Sequence, residues 1–365
     1  MPDLAARFGR LAAEYDARKA AATALVARRD WYTWPGLDLR PLHFERDLLR
    51  PGRRLGARPP VDRDVLRIGF DAEGRFVMVE EYSGFLRGRL YYETFLRYGE
   101  DVVEAAHFDR SGPIYLHEYA YEGGLMRTAA AVARAGSGRE SYTYDGDRIS
   151  RVEVEHDGLP RSVLSAEHDD RGLVRLVESA GRGRWVRYER PADGFDLDAA
   201  CRHLEGRFVE SALAAVAQLP ADGPVAGVAL AYRQARELSF EVVIVGADEQ
   251  AALRAVDATA AWAPAEFDNA TDLDLDEPEP LRTVRQELTL LDGNDYDACA
   301  GSEAGRRLLC AVAARLNAHN WSHALPVTDD FVVYAVDLEV VDLERNLAEC
   351  LPPDRLARLR ERGLL

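Results

Sequence analysis

The feature that most limits how this chain can fold is a recurring beat in its middle third. Tyr98, Tyr121 and Tyr144 are spaced by 23 and 23 residues, each just ahead of a turn carrying Gly99, Gly123 or Gly146. From about residue 65 to 190, apolar and polar residues alternate with the two-residue period of a strand. Turns rich in Gly and Asp interrupt them. VLRIGFDAEGRFVMVEEYSG reads as a hairpin, and the pattern returns in FLRYGEDVVEAAHFDRSG, YLHEYAYEGGLMRTAAAV, ESYTYDGDRISRVEVEHDG and LSAEHDDRGLVRLVESAG. One repeat is two short strands and a turn. Repeats stacked edge to edge predict an antiparallel meander of roughly ten strands.

The flanks have other textures. Residues 3–29 read as an amphipathic helix, with Leu4, Phe8, Leu11, Ala12, Tyr15, Ala22, Leu25 and Val26 at helical spacing and Asp3 placed to cap it. Residues 31–64 are rich in Pro, Gly and Arg, and each Pro excludes the helical turn before it. This stretch is expected to be an irregular connector pinned by Trp31, Trp34, Leu42 and Phe44. After Pro191, Asp196 can cap a helix to about Gln218. Two apolar strands follow (GVALAYR, SFEVVIVG), then a helical stretch at 248–262 and LRTVRQELTLL, which suits a strand or a helix. A helix over 302–318, the strand FVVYAVDLE and two closing helices at 341–349 and 354–362 complete the chain. The fold class expected is α+β: residues 1–64 as helix and connector, 65–190 as the β-repeat sheet, and 191–365 as an acidic mixed domain.

Charge divides the chain at the same place. The formal net charge is −17, and residues 191–365 hold all of it, with 15 basic and 32 acidic side chains. An acidic half repels nucleic acid and attracts basic partners. No apolar run reaches the length of a membrane span, and the charged N-terminal stretch lacks the apolar core of an export signal. The four cysteines, Cys201, Cys299, Cys310 and Cys350, form no close pair, so reduced thiols in the cytoplasm are expected.

The repeats resemble the YD (RHS-type) repeat family, in which an aromatic-Asp pair and a Gly turn precede a strand. Tyr142-Thr-Tyr144-Asp145-Gly146-Asp147-Arg148-Ile149 carries the resemblance best, and Glu167-His168-Asp169-Asp170-Arg171-Gly172-Leu173 places His where the family has Tyr. Tyr98 is followed by Gly99 and Tyr121 by Glu122, where the pattern has Asp. Long arrays of that family form shells around toxins, whereas about five units imply an open sheet. The C-terminal domain, through its TDDFVVYAVDLE run, is similar to small bacterial domains accompanying toxin–immunity systems.

Two constellations stand out as candidate sites. The acidic run supplies Asp268, Asp272, Asp274, Asp276, Glu277 and Glu279, with Asp292, Asp295 and Asp297 nearby. Asp272, Asp274 and Asp276 occupy the first, third and fifth places of a calcium loop. Glu277 stands where that loop needs Gly, and Thr283 where it needs Glu, so an EF-hand is rejected. In extended backbone the aspartates face one side and Leu273 and Leu275 the other. The run is either a solvated loop or a docking strip for an Arg/Lys-rich partner. His319 and His323 form the close histidine pair. Asn320 follows His319, so HExxH is absent, and the pair marks a possible pocket or a turn with Trp321 tucked into the core.

Other signatures fail. Gly301-Ser302-Glu303-Ala304-Gly305 has Glu where GxSxG has its nucleophile. Cys201 and His203 point to different faces of a helix. The Gly136 and Gly181 turns lack a phosphate-loop ending. The basic GRGRWVRYER stretch at 181–190 suits a charge-protected edge strand better than a nucleic-acid platform. No catalytic residue, metal site or cofactor is expected. The function expected is a non-catalytic, cytoplasmic, protein-binding module of the immunity type that neutralises a basic, nucleic-acid-processing toxin. Tyr91, Tyr92, Tyr98, Tyr115 and Tyr119 serve either as its anchors or as cross-strand pairs. A hydrolase with a pocket between the sheet and the C-terminal domain, using His319 and His323, is the alternative. A scaffold or chaperone for a toxin or secretion complex is the third reading.

Overall fold

The computed structural model describes the chain except for residues 1, 57–63, 222, 236–237, 274, 276–277 and 292–302. Its contacts divide into two units that meet in sequence at Arg190 and Pro191. The fold is α+β: an N-terminal helix, a 13-stranded antiparallel meander, then a mixed four-stranded sheet with helices.

In the first unit, helix α1 (Pro2–Leu25) precedes strand β1 (Arg28–Thr33), the short helix α2 (His43–Arg46) and β2 (Arg54–Leu55). The meander proper follows: β3 (Val65–Phe70), β4 (Phe76–Ser83), β5 (Arg89–Tyr98), β6 (Val102–Asp109), β7 (Gly112–Glu122), β8 (Leu125–Ala133), β9 (Gly136–Asp145), β10 (Arg148–His156), β11 (Leu159–Asp169), β12 (Gly172–Ala180) and β13 (Gly183–Glu189). Each strand pairs with the next, and β1 and β2 extend the β3 side. The Arg-rich β13 forms one edge.

Two expectations from sequence need correction here. The first helix stops at Leu25, not at 29, because Ala27 N–H donates to the Phe70 carbonyl at 2.8 Å and starts the β1–β3 ladder. The stretch read as an irregular connector also contains two strands. Arg28–Thr33 carries Trp31, Tyr32 and Thr33, which suit a pleated surface better than a helix, and Trp31 packs its ring 5.2 Å from Tyr82.

The two-residue period sorts side chains onto two faces. Ala105 and Ala106, neighbours in β6, are both buried but belong to different clusters. On one face, Met78, Phe95, Ala106, Phe108, Leu116 and Val132 receive Leu4, Phe8, Leu11 and Tyr15 of α1. The same face sets Glu80 opposite Glu93 and Glu104 opposite Glu118, an arrangement of like charges that a sheet cannot bear alone. Helix α1 supplies the cations. Arg18 donates to Glu104 at 2.5 Å, Arg7 reaches both Glu104 and Glu118, and Lys19 pairs with Glu93 at 2.7 Å. Arg67 holds Glu80 through Nε and Nη2 at 2.5 and 2.6 Å.

The repeat positions have a structural task. The Tyr98 hydroxyl donates to the Phe76 carbonyl at 3.0 Å, and the Tyr144 hydroxyl to the Met126 carbonyl at 2.8 Å. His168, which takes the same place, lies 2.8 Å from the Ile149 carbonyl through Nε2. Each ring thus ties a hairpin to the one before it. The turns need glycine where the backbone turns left-handed, as at Gly146 with φ of +63°.

In the second unit, α3 (Leu197–Val216) starts at Asp196, whose carboxylate accepts from Ala199 N–H at 3.0 Å. Strands β14 (Val225–Tyr232) and β15 (Phe240–Gly246), helix α4 (Ala247–Arg254), strand β16 (Ala270–Leu273), helices α5 (Pro278–Leu291) and α6 (Glu303–Asn317), strand β17 (Val327–Asp337) and helices α7 (Leu343–Cys350) and α8 (Pro353–Glu361) follow. LRTVRQELTLL, which suited either state, is therefore helical. The sheet order is β16-β15-β14-β17, with β14 and β17 parallel. Every residue of β14 is buried, as a strand covered on both faces requires.

Candidate functional site

The acidic strip falls on an edge strand. β16 pairs with β15 alone, and the register sets Asp272 directly opposite Glu241. Both are exposed, as are Asp268 and Glu266, while Leu273 and Leu275 are buried. Alternation thus separates acid from core. Neither Glu241 nor Asp272 has an ion-pair partner among the described residues. A cross-strand pair of like charges costs stability. Asp274, Asp276, Glu277, Asp292, Asp295 and Asp297 lie outside the described residues, as does the side chain of Glu279, whose backbone is in α5.

The histidine pair is not brought together as a pocket. His319 and His323 are both exposed, and neither lines the groove on the first sheet or the cavity between α4 and β17. Between them Trp321 is buried and donates through Nε1 to the Leu316 carbonyl at 2.8 Å. The segment is a turn that anchors its tryptophan.

A groove of about 410 Å³ lies on the sheet face opposite α1, and sequence reasoning missed it. Its floor is Ala129, Ala131 and Gly138, and its walls include Arg40, His117, Tyr119 and Glu140. Small side chains on β8 and β9 create the dent between larger neighbours. Arg40 comes from the segment before α2, where its Nε and Nη2 hold Asp38 at 3.2 and 3.0 Å. Both Glu140 oxygens are engaged, one by Arg46 at 2.7 Å and the other by the Tyr142 hydroxyl at 2.5 Å. Tyr119 OH and His117 Nδ1 are 2.8 Å apart. Burial, with Arg40 adding to it, pushes His117 down to about 4, so the imidazole is neutral at pH 7. These groups can donate and accept hydrogen bonds, but Glu140 is not presented as a free base or nucleophile. The run Ala129-Ala130-Ala131 was the available sequence signal, since a strand so poor in side-chain volume leaves a hollow.

Of the tyrosines singled out from sequence, Tyr115 and Tyr119 are packed rather than presented. Tyr115 stacks between His107 and His117, with ring centroids 4.3 and 4.6 Å away, and Tyr119 is buried. Tyr91 is exposed. His107 itself is 4% exposed, and burial pushes its imidazole down to about 4, with the nearby His117 acting the same way. Between pH 4 and 6.5 the folded chain therefore binds fewer protons here than the unfolded chain. The stability involved is fully present above pH 6.5 and is lost as pH falls through 4. Glu81, raised to about 7 by burial and by Asp64, works in the opposite sense: its contribution is present below pH 4.5 and lost as pH rises through 7. Urea unfolding at pH 7 and 4.5 of the parent chain and of His107→Gln isolates the histidine. The parent should lose about 2 kcal/mol more than the variant over that interval. Equal losses would remove the buried neutral His107 from the account.

No protein-family model matches the chain, and no curated protein matches it. Among solved structures, it is similar to a porin-like protein from Bacteroides uniformis at 14% identity and a TM-score of 0.25, covering 33% of this chain and 50% of that one. It is also similar to TarM at 8% identity and a TM-score of 0.12, covering 40% of this chain and 24% of that one. The chain thus spans half the length of the first and about a quarter of the second, and at these scores neither likeness bears on fold or function.

Proposed function

We propose that this chain is a non-catalytic binding module whose second unit captures a basic protein through the β16 edge. The observation that carries the reading is the exposed Glu241–Asp272 pair, set directly across the ladder without an ion-pair partner among the described residues. A sheet selected only for stability would place Lys or Arg at one of those two positions. A guanidinium or ammonium from a partner would relieve the repulsion on binding. The edge backbone of β16 adds a row of hydrogen-bonding groups next to the charge. The excess of acid confined to residues 191–365 gives the long-range field that speeds encounter.

The finer form of this reading is an immunity-type protein acting in the cytoplasm, where it neutralises a cognate toxin with a basic, nucleic-acid-processing surface. Three free thiols, Cys201, Cys310 and Cys350, agree with a reducing compartment. No helix among the described residues is long and apolar enough to cross a membrane.

The experiment is affinity capture from source-cell lysate at low and high salt, with mass spectrometry of what is retained. A single basic protein, weakened by salt, is the expected result. The triple variant Glu241→Gln, Asp268→Asn, Asp272→Asn should bind that protein about tenfold more weakly, chiefly through slower association. Its melting temperature should not fall, because the substitutions remove a repulsion. Capture unaffected by the triple variant would sink the β16 edge as the docking surface. Toxicity of the captured protein on expression alone, relieved by co-expression of this chain, tests the immunity assignment.

A further inference from the structure

A second cavity, of about 310 Å³, lies within the second unit and plays no part in the acidic edge. It is lined by Gln250 and Arg254 of α4, Thr328, Asp329 and Asp330 of β17, and Trp262 and Arg362 among others. Three of these side chains bring buried polar atoms with no hydrogen-bond partner among the described residues: Arg254 Nε and Nη2, Thr328 Oγ1, and Asp330 Oδ1. Orphaned polar atoms cost free energy in proportion to their desolvation. Four such atoms, carried by three residues that line one cavity, mark a place where a ligand completes the bonding once these side chains turn toward it.

The chemistry of that ligand follows from the groups left over. The Nε/Nη2 edge of a guanidinium matches a carboxylate with two parallel bonds. This chain uses that edge elsewhere, for Arg67 on Glu80, Arg40 on Asp38 and Arg306 on Glu303. The other oxygen of Asp330 is taken by Arg362 at 2.6 Å, so Oδ1 remains to accept from a donor. The Gln250 amide is spent on the Ala261 carbonyl, and the Trp262 indole N–H on the Leu364 carbonyl. Arg254, Arg362, Asp329 and Asp330 cancel in formal charge, which favours a ligand carrying both signs over a simple anion. At about 30 Å³ per water, the space holds roughly ten waters, the size range of an amino acid.

We propose that this cleft binds a small zwitterion of the free α-amino-acid class, its carboxylate held by the Arg254 fork and the Thr328 hydroxyl and its ammonium by Asp330 Oδ1. Burial already pushes the Arg254 guanidinium below its ordinary value, with Asp330 opposing, and a bound carboxylate relieves that cost.

The test is thermal unfolding of the intact chain with each standard L-amino acid at about 10 mM, with acetate and methylammonium as probes of either end alone. At least one amino acid should raise the melting temperature by about 3 °C, while acetate and methylammonium leave it unchanged. Calorimetric titration of that amino acid into Arg254→Lys, which keeps the charge and loses the fork, should show affinity reduced tenfold or more. Thr328→Val, nearly isosteric, gives a second reading if the arginine variant does not fold, and should also bind more weakly. A panel without any shift, an equal shift from acetate alone, or full affinity in a folded variant overturns the proposal. None of these outcomes touches the β16 docking surface.

Discussion

Arg306→Ala should cost the second unit about 3–5 kcal/mol, enough to abolish its cooperative unfolding transition at ordinary temperature. Arg306 has 0% exposure, the most complete burial of any charged side chain among the described residues. Its Nη1 donates to Asn346 Oδ1 at 2.7 Å, and its Nη2 to Glu303 at 3.0 Å and Glu349 at 2.6 Å. Asn346, also fully buried, passes the network on to the Tyr232 hydroxyl at 2.9 Å. Removing the guanidinium leaves Asn346 Oδ1 with only the Cys310 thiol at 3.6 Å and takes from Glu303 and Glu349 the cation they share. The hydrogen bond from Arg306 holds the Glu303 carboxyl down at about 2, with Arg345 adding to it. Its contribution is therefore present above pH 4.5 and is lost as pH falls toward 2. Arg306→Ala should flatten the acid limb of the unfolding curve in that window. Chemical denaturation followed from pH 6 to 2 checks both effects, and a variant with the parent's midpoint and acid limb would show the network to be idle.

The second large effect is expected at Arg18. This side chain is 4% exposed beneath α1 and donates to Glu104, itself 7% exposed, while also holding Glu14. Arg18→Ala should destabilise the first unit by about 3 kcal/mol, because Glu104 then loses its most buried cation and keeps Arg7 as its ion-pair partner among the described residues, against the opposing Glu118. The double variant Arg18→Met with Glu104→Gln should recover more than half of that loss, since it removes the buried charge together with its partner. Urea midpoints of the two variants decide it. A double variant no better than the single would show that packing of the arginine stem, and not the ion pair, is what α1 contributes there.

Much of the sheet was legible because its code is local. Alternation and Asp/Gly turns marked the hairpins from β3 to β13, and the aromatic beat located the residues that tie one hairpin to the next. Asp196 was readable as a cap because the carboxylate acts on a backbone three residues away. The separation of Leu273 from Asp272 followed from pleating alone. What escaped was whatever depends on segments distant in sequence. Arg306 sits in a helix whose pattern gave no hint of burial, because Asn346 and Glu349 arrive from a helix some forty residues later. Arg40 belongs to a proline-rich stretch without periodicity, so its place on the groove wall was invisible. The helix end at Leu25 was misread for a similar reason: the β1–β3 ladder, not helical preference, sets it. His319 and His323 drew attention by spacing alone, and spacing carries no information about which residue of a turn faces inward.

The strict neighbour-to-neighbour order of the meander has a consequence for how it assembles. No strand from β3 to β13 waits for a distant one, so each hairpin closes a loop of only a few residues before adding to the stack. The loop-closure entropy that slows most β-proteins is largely absent, and growth proceeds like the zipping of a one-dimensional array. Helix α1 packs on β4, β5, β7 and β8 and so joins strands that the array alone would hold only in series. It converts that segment into one cooperative block. On the other face the segment around α2 clamps later strands, packing on β13 and pairing Arg46 with Glu140 of β9, so amide-hydrogen exchange should be slowed in β13 as well as in the α1 block.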